Sequence, residues 1–80
     1  MDFNEAVEQH VKSSLESSFG KALAMLIVAS ASNAVQAPMV GMSRAQYMSL
    51  CSAICEDQRV VDMWGTSGAT DALLKWQALV

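Results

Sequence analysis

Apolar residues recur every four positions at the start of the chain: Phe3, Val7, Val11, Leu15 and Phe19, then Ala22, Leu26 and Ala29. That spacing is helical and predicts a first helix over residues 3–36. Asp2, Glu5 and Glu8 sit near its start, where they suit the helix dipole. Pro38 ends it, because proline lacks the amide donor and disfavours a helical predecessor. The candidate break is Ser17-Ser18-Phe19-Gly20. One glycine costs only about 1 kcal/mol against alanine inside a helix, so a continuous or bent helix is expected. Unbroken, it would be about 50 Å long. A compact chain of this size has a radius of gyration of about 12 Å, so a helix that long would project and need a partner.

Val40-Gly41-Met42 reads as a turn, and Ser43-Arg44-Ala45-Gln46 as a capping box, with a hydroxyl at the N-cap and a glutamine three residues on. A second helix is predicted from Arg44 to about Met63. Tyr47, Leu50, Cys51, Ile54, Val61 and Trp64 share one face of it, with Ser49, Ser52, Glu56 and Arg59 opposite and Glu56 spaced to pair with Arg59. Gly65-Thr66-Ser67-Gly68 breaks the pattern. A third helix, about Ala69 to Leu79, carries Asp71 in its first turn and is expected to bury Ala69, Leu73, Trp76 and Val80. No segment alternates with the two-residue period of a strand. The expected fold is all-α, a single domain over 1–80 with three helices and a long first one, or four helices if Gly20 breaks it.

Composition narrows the function. The 80 residues are 52% hydrophobic and only 16% charged, with a net charge of -3. Disorder is excluded, and so is the clustered lysine and arginine of an electrostatic nucleic-acid binder. A helix-turn-helix reading fares no better, because the last helix offers base edges only Lys75 and Gln77. The acidic N-terminus is unlike a basic signal peptide, so the expected location is cytoplasmic or within a virus particle. Residues 22–43 carry no charge and reach membrane-spanning length. Their continuous apolar part, Ala22 to Ala29, is too short, and a buried helix followed by a loop is the expectation.

No chemistry is spelled out. Cys51 and Cys55 share a helix face and read as buried, reduced hydrophobes; with His10 the sole histidine, no zinc ligand set can be assembled. Gly65-Thr66-Ser67-Gly68 lacks the spacing of a phosphate-binding loop. His10, Ser13, Ser14 and Glu8 lie on one helix and cannot supply the separately oriented groups of acyl transfer. The expectation is therefore a non-enzymatic protein with no cofactor, metal or nucleic acid.

What remains is the methionine- and alanine-rich segment. A chain this small cannot bury an apolar stretch from Ala22 to Met42 on every side, so part of it should face another protein chain. Leu23, Met25, Ile27 and Val28 are the expected interface, with Phe19, Ala22, Leu26 and Ala29 turned to the chain's own core. The leading functional reading is a helical assembly subunit, homo-oligomeric or part of a larger complex, with a phage or virus particle as its setting. The alternatives are a small helical modulator of one partner protein and a membrane-active or channel-forming protein using residues 22–42.

Overall fold

The computed structural model describes residues 2–38 and 41–80, all-α, with helices separated by single-residue corners and one longer connection. Helix α1 covers residues 3–19 and widens to a π-helical stretch at Val7–Val11. Its exposed side carries two pairs one turn apart: Gln9 Nε2 donates to Glu5 Oε1 (3.3 Å), and Lys12 Nζ to Glu8 Oε1 (3.2 Å). Its inner side is the four-residue stripe, with Val7, Val11 and Leu15 buried and Phe3 and Phe19 packed at its ends.

Gly20 then ends α1 and starts α2, Lys21–Val35, in one step. Its φ of 83° and ψ of 165° lie where residues with a Cβ are strained. Two backbone bonds flank the corner: Gly20 N–H donates to the Glu16 carbonyl (2.9 Å), and Ala24 N–H to the Gly20 carbonyl (3.0 Å). The continuous helix expected over residues 3–36 is therefore corrected to two. The break gives up the bonds that the Lys21, Ala22 and Leu23 N–H groups would make to residues 17–19 in a continuous helix, and α2 gains by packing against α1.

At its far end α2 stops at Gln36, left-handed at φ 55°. Val40 of the expected 40–42 turn, like Met39 before it, lies outside the described residues; Gly41 has φ 74°. The capping box forms as read: Ser43 N–H donates to Gln46 Oε1 (2.9 Å), and Gln46 N–H donates to Ser43 Oγ (3.2 Å). It opens α3, Arg44–Glu56. The second helix does not continue to Met63. Asp57 turns extended (φ -62°, ψ 130°) and caps α4, Gln58–Ala78, accepting from Arg59 N–H at 2.9 Å. Arg59 also reaches back to both Asp57 oxygens (3.0 and 2.8 Å), replacing the expected pair with Glu56.

Within α4 only Gly65 leaves the helix, at φ 76° and ψ 165°; Thr66, Ser67 and Gly68 are helical, so the four-residue break is corrected to one residue. Gly65 repeats the backbone geometry of Gly20, and the two corners meet. Phe19 packs on Trp64 with ring centroids 6.2 Å apart, and Trp64 Nε1 donates to Ser18 Oγ at 2.7 Å. The Asp57 break also shifts the buried phase of the helix after it: Val60 is buried, while Val61 and Trp64 are half-buried. Ala69 and Trp76 close the core as expected, whereas Leu73 and Val80 remain half-buried at its edge. Tyr47 Oη donates to the Trp76 carbonyl at 2.7 Å, tying α3 to the last turn of α4. The radius of gyration is 11.2 Å, so no helix projects.

Candidate interaction surface

Helix α2 has more apolar residues than one face can hold. At 100° per residue, Ala24, Ile27, Val28 and Ala31 fall together, and all four are buried in the chain's core. Ala22, Met25, Leu26 and Ala29 fall on the opposite side, and all four are exposed. Met25 and Leu26 keep 52% and 58% of their surface open, among the largest values for any bulky apolar side chain described. Ser30 and Asn33 continue the same side, and no charged residue follows Lys21 until Arg44. The result is an uncharged strip along one helix.

The expected face assignment is therefore corrected. Of the expected interface residues, Ile27 and Val28 are in the private core, Leu23 is half-buried and Met25 alone is exposed. Of the residues expected to face the core, Ala22, Leu26 and Ala29 point outward and Phe19 is half-buried. Extending the α1 stripe through Gly20 carried its phase into a helix that starts afresh. Beside the strip, Lys12 of α1 with Met25, Val28 and Ala29 of α2 encloses a hollow of about 150 Å³. Lys12 is held there by its pair with Glu8.

A larger groove of about 430 Å³ lies between α3 and α4, lined by Ser52, Cys55, Glu56, Val61, Thr66, Ala69, Thr70 and Leu73. Its cysteine is not poised for attack. Burial pushes the Cys55 thiol up to about 11, and the neighbouring Cys51 and Glu56 push the same way. The thiol is thus protonated at neutral pH, and the thiolate is the nucleophilic form. Cys51 is also buried and raised to about 11, with the Tyr47 side-chain hydrogen bond opposing burial. Both cysteines are buried, as their place beside Leu50 and Ile54 implied, and neither is in a disulfide. Thr70 Oγ1 is engaged with the Thr66 carbonyl at 2.9 Å.

Among the described residues, no three of the histidine, cysteine and acidic side chains gather as metal ligands. No described helix is long and apolar enough to cross a membrane, and α2 ends before the uncharged stretch does. Among the described residues, the outer strip of α2 is a row of apolar side chains that the chain's own core leaves uncovered. No protein-family model, curated protein or solved structure matches this chain.

Proposed function

We propose that the protein is a non-enzymatic helical assembly subunit that docks against another protein chain through the outer strip of α2. One observation carries this reading: a single helix is apolar on two opposed sides, and the chain's core covers only one. An amphipathic surface helix needs a polar outer side. Here Met25 and Leu26 stand open between Ala22 and Ala29 instead. The small alanines allow a partner's backbone to come close, and covering each large side chain is worth about 1.5–3 kcal/mol. Exposed Met63 and Leu74, by contrast, belong to no such row; isolated apolar residues are ordinary on protein surfaces.

Comparing wild type with Leu26→Glu tests the reading. The side chain is mostly solvated in the free chain, so the variant should melt as wild type does when dilute. In an extract of its source the wild type should migrate in a complex and the variant as the free chain. Equal migration of two equally folded proteins would overturn the proposal.

A further inference from the structure

We infer that two copies of this chain exchange α1: the corner at Gly20 straightens, residues 3–35 run as one helix, and each α1 packs on α2, α3 and α4 of the other copy. This goes beyond the docking of the α2 strip and rests on a different surface. The fold itself shows what covers that surface, because α1 already fills it within one chain. Ala6, Val7, Val11 and Leu15 are at most 2% exposed there. Phe3 packs on Tyr47 of α3 with ring centroids 5.6 Å apart, while Phe19 and Ser18 hold Trp64 of α4. A second copy offers the same groups, so exchange rebuilds the α1 face twice over and needs no new contact area.

The closed and exchanged forms differ at the corner, and the residues there favour the straight form. When the corner is closed, the Lys21, Ala22 and Leu23 N–H groups lack the bonds to residues 17–19 that a continuous helix supplies. No side chain caps the start of α2, and no acid lies in its first turn. Lys21 stands there instead, a cation at the positive end of the helix dipole. Straightening bonds all three N–H groups and places Lys21 in mid-helix. The apolar spacing already runs through position 20 as in one helix, from Leu15 and Phe19 into Ala22 and Leu26. Gly65 has the same backbone geometry, but the turn after it, Thr66-Ser67-Gly68-Ala69, carries no misplaced charge.

A hinge of one residue leaves no slack, and short hinges invite exchange. Opposing it is the freedom lost when two chains join, so the closed single chain prevails when dilute. Gly20 itself sets that balance. It is the residue type most at ease at φ 83° and among the least suited to a helix interior.

The test refolds the full chain from urea, since α1 must leave its own copy before entering another, and reads the mass by sedimentation equilibrium. At about 100 µM the wild type should refold mainly as a single chain and Gly20→Ala as a dimer. Alanine favours the straight helix and is strained in the corner, in both chains at once, so association should strengthen at least about a thousandfold. Inserting Gly-Ser-Gly after position 20 of the Gly20→Ala chain restores slack and should restore the single chain. Isotope-labelled and unlabelled Gly20→Ala chains, refolded together, report the exchange directly. Nuclear Overhauser contacts from the Phe3 ring to Tyr47, and from Phe19 to Trp64, should join labelled to unlabelled chains. A Gly20→Ala chain still single at about 1 mM overturns the inference. So does a dimer whose ring contacts all lie within one chain, or an insertion chain that pairs equally well. If alanine prevents folding, the wild type refolded at about 1 mM decides: cross-chain ring contacts in its dimer support exchange, and a single chain throughout overturns it.

Discussion

Gly20 and Gly65 share one backbone geometry, with φ near 80° and ψ 165°, and each turns the chain between helical segments without a loop. An added Cβ would meet nothing within 4 Å at either site. Substitution by alanine therefore tests the backbone alone, with no clash contributing. Gly20→Ala and Gly65→Ala should each cost about 1–3 kcal/mol, the strain of placing a residue with a Cβ in that region. Urea unfolding checks this, and an unchanged midpoint would mean that the corner relaxes into helix. The tryptophans beside these corners should separate. Trp76 is 1% exposed and Trp64 only half-buried. Trp76→Ala is expected to lose about 3–5 kcal/mol, as for a large side chain removed from a core, and Trp64→Ala clearly less. Equal losses in the same urea series would show that the Trp64 bond to Ser18 matters as much as full burial.

Among the helices, α1 and α3 could be read directly from the sequence because one side of each is apolar and the other is not. The capping box at Ser43 fixed the start of α3, and Val7, Val11 and Leu15 the inner side of α1. For α2 periodicity offered no choice of side, since Leu23, Met25, Leu26, Ile27 and Val28 crowd every direction. The phase had to be borrowed across Gly20, and the corner there resets it. The candidate surface was thus legible as a segment but not as a face. Asp57 was missed for a different reason. It follows Glu56 in a run that stays apolar at helical spacing, and only Arg59, two residues on, marks it as a cap. Its carboxyl is held below the usual aspartate range, first by the Arg59 side-chain hydrogen bond. A pKa lowered by folding adds stability above the unfolded value near 3.8, and this is lost as pH falls through the folded one. Asp57→Asn keeps a capping side chain and should flatten the stability change below about pH 4. Asp57→Ala should in addition lose about 0.5–2 kcal/mol at neutral pH through the missing cap. Acid titrations followed by helicity distinguish the two.

For the molecule as a whole, the core is one cluster shared by every helix, and three of its buried side chains can ionise. Tyr47 and Cys51 lie one turn apart on α3, and Cys55 one turn further. Burial is the first cause of the upward shift in all three, with both thiols reaching about 11 and Tyr47 pushed above its ordinary range. Each group is neutral when folded, and the unfolded chain gives up its protons first. A pKa raised by folding leaves stability whole below the unfolded value, near pH 9 for the thiols, and removes it as pH rises through about 11. A chain of this size has only a thin margin of stability, so the loss should show as alkaline unfolding. The melting temperature should stay level from about pH 7 to 8.5 and fall steeply by about pH 10.5. Replacing both cysteines with alanine removes two of the three groups whose protons the folded chain holds more tightly. Whatever the small cavities cost at neutral pH, the alkaline limb of the double variant should be shallower. An equal slope would mean that the thiols titrate alike in the folded and unfolded chain, and that α3 does not bury them against the core.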